Sequence, residues 1–259
     1  MSEEIDRSFP TAGLSAAGKG EGSDRKGVYA AGGIAALFVA LASLADIAIG
    51  FSLGGDLTAL PHTAIDRFIQ FRQSPWLGLY SLDLLNVLTT FVLVAAFLGL
   101  YAAHRRIERA LATLAMIVEL VGATVFVANN AALPMLALSA KYTATTTEAQ
   151  RALLAGAGEA MLARGEHGSP GVFLGFFLLS IAGILMSWAI LKGRVFNRAT
   201  AWTGILSNSL LLAYVVLVTF VPGTKSAASL ISAPGGVLAI AWLILIGLGL
   251  TRMGRSGLA

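Results

Sequence analysis

Hydrophobic positions along the chain fall into long runs broken by short polar stretches, not into the spaced stripes of a soluble helix. Runs at 28–49, 76–103, 111–132, 172–191, 199–221 and 234–250 are each apolar over most of their length. A helix needs about 20 such residues to cross the hydrocarbon core of a bilayer. The pattern therefore predicts an all-α, polytopic membrane bundle with six transmembrane helices. Two of the polar breaks carry a helical period of their own. In the first, Ile65, Phe68, Ile69 and Arg72 follow Thr63 at helical spacing. In the second, Leu153, Leu154, Ala157, Met161 and Leu162 share one side. Each reads as a short amphipathic helix resting at the membrane surface. The second is expected from Thr147 to Arg164, ended by Gly165, with Thr145 and Glu148 at capping-box spacing.

Proline and the polar ends refine these limits. Pro134 is expected to kink or end the third run, and Pro234 suits the first turn of the sixth. Residues 1–27 are polar and rich in Gly, Ser and charge, and read as a flexible tail. That tail is too long and too acidic for the basic start of a cleaved signal peptide, so the first run is expected to remain as an anchor. Residues 253–259 form a short polar end.

Composition agrees with the pattern. Hydrophobic residues make up 56% of the 259 and charged ones only 12%, about half the charge of a soluble domain. The basic residues sort by side. Twelve Lys and Arg (Arg7, Lys19, Arg25, Lys26, Arg105, Arg106, Arg109, Lys192, Arg194, Arg198, Arg252, Arg255) fall on one side of the expected bilayer and six (Arg67, Arg72, Lys141, Arg151, Arg164, Lys225) on the other. Positive charge concentrates on the cytoplasmic side. Both termini are therefore expected in the cytoplasm, with the amphipathic helices outside, in a bacterial inner membrane. The net charge of +4 is accounted for by this anchoring, and no basic patch interleaved with aromatics points to nucleic acid.

The chain has no cysteine, which removes disulfides, thiolate metal sites and iron–sulfur clusters. His62, His104 and His167 sit outside the runs or at their edges, so a haem between two intramembrane histidines is not expected. His62 and His167 read as exposed loop histidines, and His104 as an interfacial anchor beside Arg105 and Arg106. No cofactor is named by any motif: there is no HExxH, P-loop or Gly-rich dinucleotide fingerprint.

The candidate chemistry lies in polar residues inside the apolar runs. Ionisable groups there are costly and usually functional. Asp46 belongs to the outer half of the first run; Asp83, Asn86 and Thr90 share one face of the second; Glu119 is central in the third, with Asn129 and Asn130 near its end; Asn208 is in the fifth. With about 1.5 Å of rise per residue, Asp46, Asp83, Asn129 and Asn130 come to one level, and Asn86, Glu119 and Asn208 to a deeper one. An outward-opening polar pocket satisfies all of them, the acids carrying charge and the amides supplying donors and acceptors. The expected activity is small-molecule or proton-linked binding or transport. Two other readings stand beside it. Ser180, Gly183 and Ser187 form a small-residue face in the fourth run, suited to close helix packing and so to docking a membrane partner as an accessory subunit. An embedded enzyme using a carboxyl as acid or base is the third. Otherwise membrane lipid is the only partner implied.

The stretch ALPMLALSAKYTATTTEAQRALLAGAGEAMLA, followed by GVFLGFFLLSIAGILMSWAILKGRVFNRATAWTGILSN, resembles a family of bacterial multi-pass membrane proteins catalogued only as a domain of unknown function. The resemblance rests on Ala132–Leu138, Thr143–Ala163 and Val195–Ile205 and extends over roughly 28–252. It implies a multi-pass helical architecture and carries over no site residues.

Overall fold

The computed structural model describes residues 12–52 and 61–256, and every regular element among them is an α-helix. Six helices are long and apolar enough to cross a membrane. They are α1 (Ala12–Ser52), α4 (Leu84–His104), α5 (Arg109–Asn129), α8 (Pro170–Gly193), α9 (Arg198–Phe220) and α10 (Lys225–Ser256). Four shorter helices, α2 (Ala64–Gln73), α3 (Pro75–Tyr80), α6 (Ala132–Ala144) and α7 (Glu148–Gly165), fill the longer connections. The chain is a multi-pass membrane protein.

The six spans close into a ring. Neighbours around it are α1, α4, α5, α8, α9 and α10, and α10 packs back against α1. α4 also touches α8 and α10 across the ring. The short turns α4–α5 and α8–α9 lie at one end, the turn end. The small helices gather at the other, the cap end. There α2 packs on α6 and α7, and α3 on α6, around Phe68, Phe71, Leu82, Met135 and Leu162. One buried cation joins the cap to the spans. Arg67 of α2 reaches Glu166 at 2.8 Å and Ser81 at 3.0 Å, holding together the segments that lead into α8 and α4. Phe68 and Arg67, at two successive positions of α2, are both buried, so this helix is enclosed on more than one side.

Side-chain caps decide several helix starts. The oxygens of Thr63, Ser74, Ser169 and Asn197 accept from Asp66, Leu77, Val172 and Thr200 backbone N–H groups respectively, satisfying donors that the first helical turn leaves over. Pro75 and Pro170 follow two of these caps, where a missing N–H costs nothing.

Element limits depart from the sequence expectation in five places. The run at 76–103 is two helices, because α3 ends at Tyr80 and Asp83 adopts a left-handed conformation, φ 64°, before α4. The third run breaks at Asn130, whose ψ of 133° is extended, and Pro134 then sits harmlessly in the first turn of α6. The box of Thr145 with Glu148 does not form: Thr147 occupies the N-cap of α7, Thr145 donates to Lys141 O, and Glu148 pairs with Arg151. The last span begins at Lys225, after a turn through Gly223 at φ 77°, so Pro234 lies inside α10. Of the expected tail, residues 1–11 lie outside the described residues, whereas α1 begins at Ala12. Residues 257–259 of the polar end also lie outside them.

Candidate functional site

Packing differs along the length of the ring. Toward the turn end α1, α4 and α10 meet at small residues. A Cβ on Gly32 would come within 2.9 Å of Gly99 Cα, and one on Gly33 within 2.7 Å of Thr251 N. Phe97, Leu100, Met186, Ile246 and Leu250 fill the remaining space. Toward the cap end the helices part around a cavity of about 270 Å³. Five spans line it: α1 through Val39 and Ser43, α4 through Asn86, Thr89, Thr90 and Phe97, α8 through Phe176 and Ser180, α9 through Asn208 and Tyr214, and α10 through Trp242. His167, in the connection from α7 to α8, lies at its cap-end rim.

A hydrogen-bonded chain crosses that rim. Asp83 Oδ2 is 3.1 Å from His167 Nδ1, and His167 Nε2 is 2.8 Å from the Tyr214 hydroxyl. Asn86 Nδ2 donates to the other oxygen of Asp83 at 3.2 Å. The left-handed turn at Asp83 places its carboxylate between the start of α4 and the start of α8. Phe176 stands edge-on to the His167 ring at 5.8 Å between centroids. Deeper in, Asn208 Nδ2 donates to Gly204 O at 2.8 Å. The absent side chain of Gly183 makes room for the Asn208 amide.

Of the residues expected in a pocket, Asn86 and Asn208 line the cavity and Asp83 joins its rim through His167. The other four lie elsewhere. Asp46 accepts from the Tyr80 hydroxyl at 2.8 Å, tying α1 to α3. Burial and this hydrogen bond raise the Tyr80 hydroxyl well above the ordinary tyrosine range. Asn129 accepts from Arg164 Nε at 2.6 Å and donates to Val125 O. Asn130 donates to Leu82 O and accepts from Ala132 N. These two asparagines fasten the end of α5 to the cap. Glu119 is fully buried, and neither of its oxygens has a hydrogen-bond partner among the described residues. Gly122 lies against Leu178 and Leu179, and Gly175 against Phe126. That antiparallel register brings Glu119 opposite about Ala182, which adjoins Gly183, the residue of α8 that faces Asn208. Glu119 is thus in the α5–α8 seam, not in the cavity wall.

Sequence reasoning passed over His167 and Tyr214. His167 had the look of an exposed loop residue, and nothing local marks it otherwise. Tyr214 carried a usable signal, since Asn208, Leu211 and Val215 are at i, i+3 and i+7 and Tyr214 adjoins that stripe. The stripe Ser180, Gly183 and Ser187 is buried inside the ring. Gly183 faces Asn208, and Ser187 lies against Gly204, so its packing partner is α9 of the same chain. Among the described residues no group of three or more His, Asp or Glu side chains is gathered as a metal would require.

A family model described as "Domain of unknown function (DUF4386)" matches residues 29–247, a range that reaches into all six spans. The chain belongs to that family of multi-pass membrane proteins. No curated protein and no solved structure matches it.

Proposed function

We propose that this protein binds, and in its cellular setting moves or senses, a small molecule held in the cap-end cavity. One observation carries the reading: five spans contribute to a single cavity that combines aromatic surface with amide, hydroxyl and imidazole groups. Such a mixture of apolar lining and a few convergent polar groups is typical of small-molecule sites. An apolar cavity of 150 Å³ accommodates benzene, so about 270 Å³ suits roughly a two-ring compound. The distribution of Lys and Arg supports a bacterial inner-membrane setting with the turn end in the cytoplasm and the cavity opening outward.

The test is stabilisation of the purified protein by two-ring compounds. Ser180 faces the cavity from α8, and Ser180→Phe would fill it. Compounds are expected to raise the unfolding temperature of the parent protein and not that of the filled variant. Equal stabilisation of both would remove the cavity as the site. Orientation is read separately. Because the chain has no cysteine, single cysteines at Thr146 and at Arg105 report their sides through a membrane-impermeant maleimide on intact cells. Labelling at Thr146 alone is expected.

A further inference from the structure

Glu119 stands apart on the buried face of α5. That face reads Ala112, Ala115, Glu119, Gly122, Ala123 and Phe126, so one carboxyl interrupts a row of mostly small residues. Both of its oxygens are enclosed and make no hydrogen bond among the described residues. The helices around it bring no charge to it. α5 packs on α8 and α4. On α8, about Ala182 lies opposite. On α4, Leu82 O accepts from Asn130 and Val87 clusters with Phe126, a register that sets Glu119 level with about Val94. The nearest ionisable groups on these helices and their flanks are two turns or more away along the axis, about 10 Å or beyond. They are Tyr101, His104, Lys192 and the charged residues of the α4–α5 turn on one side, and Asp83 and His167 at the cavity rim on the other.

An ionised carboxyl enclosed with neither a cation nor a donor has lost its water and gained no partner, which is strongly unfavourable. The acid form carries no charge and escapes most of that penalty. The seam itself is built to part. It is held by close contact of small residues, Gly122 against Leu178 and Leu179 and Gly175 against Phe126, and no hydrogen bond or ion pair crosses it among the described residues. We infer that Glu119 is a proton-binding site that locks the α5–α8 seam: the two helices stay closed while it holds its proton, and part to admit water when the proton leaves. The lock needs no ligand. It reaches the cavity all the same, because α8, one of the two helices that part, carries the wall residues Phe176, Leu179 and Ser180.

Two measurements on the detergent-purified full chain test the lock. In infrared spectra at about pH 7, the parent minus Glu119→Gln difference is expected to show the carbonyl band of a protonated carboxyl. Carboxylate bands in its place overturn the proton site. The seam is read with Ala182→Cys and N-ethylmaleimide, the chain having no cysteine of its own. Between about pH 6 and about pH 9, labelling is expected to accelerate about tenfold more with Glu119 in place than in the Glu119→Gln background, where the side chain stays neutral. Comparing the two backgrounds cancels the ionisation of the thiol itself. Ala123→Cys, on the buried face of α5, repeats the measurement should Ala182→Cys not fold. An equal rise in both backgrounds overturns the lock. The same excess at Ala36→Cys, in the buried core of α1, also overturns it, because that marks general unfolding and not the parting of one seam.

Discussion

Near the turn end, Gly32 and Gly99 bring α1 and α4 into backbone contact, and Gly33 does the same for α1 and α10. About three helical turns toward the cap, the same helices present Ser43, Asn86, Thr90 and Trp242 to open space. In lipid, helices gain little from apolar burial alone, so close packing through small residues must hold them. The turn half invests in that packing. The cap half relaxes it, and is braced instead from outside by the Arg67–Glu166 pair and by the asparagines at the end of α5. A cavity in a membrane bundle thus requires that cohesion be supplied elsewhere, and here it is supplied on both sides of the cavity.

Substitutions that break this division should differ in size. Gly33→Leu drives a side chain into Thr251 and Gly247 backbone, and is expected to cost about 3 kcal/mol or more, read as loss of the folded fraction in graded denaturing detergent. Arg67→Ala removes three side-chain hydrogen bonds of a buried cation. Glu166 is itself partly exposed, so a cost of about 2 kcal/mol is expected, with faster proteolysis of the cap than of the spans. Ser180→Leu also adds bulk, but into the open space of the cavity, and is expected to change stability by less than about 1 kcal/mol. Should it cost as much as Gly33→Leu, the contrast between the halves would fail.

The smallest effect concerns Tyr80. Its raised pKa means the folded state favours the protonated hydroxyl. That contribution is complete below the unfolded value of about 10 and is lost as pH rises from there through the higher folded value. Alkaline titration of tyrosinate absorbance should show a late component that Tyr80→Phe diminishes, and Asp46→Asn should bring the Tyr80 part of it to lower pH.

The six spans were legible because bilayer thickness imposes a length and an apolar run that nothing else in a chain of this size requires. The helix breaks were less so. Asp83 enters a left-handed turn for tertiary reasons, and no glycine announces it. The candidate site was half legible. Asn86 and Asn208 could be placed by depth and face. Glu119 shared their depth, yet depth does not say which neighbour a face meets, and in the ring its face meets α8 and not the cavity. Asn129 and Asn130 carried the polar character of a site and serve as caps, a use of short amides that composition cannot separate from binding. His167 was out of reach, because its role depends on two partners far away in the chain.

The seam between α1 and α10 has a consequence for how the molecule is made. Gly33 meets Thr251, Leu37 meets Gly247 and Ala30 meets Gly254, so α1 completes its contacts only once α10 has been made. Until α10 is inserted, the glycine face of α1 stands open to lipid and the ring is a five-helix arc. Closing it joins the most distant parts of the chain, the kind of contact that forms slowly. Closure of the ring should therefore be limited by α10, and the cavity, which draws its Trp242 wall from that helix, comes into being only when α10 docks.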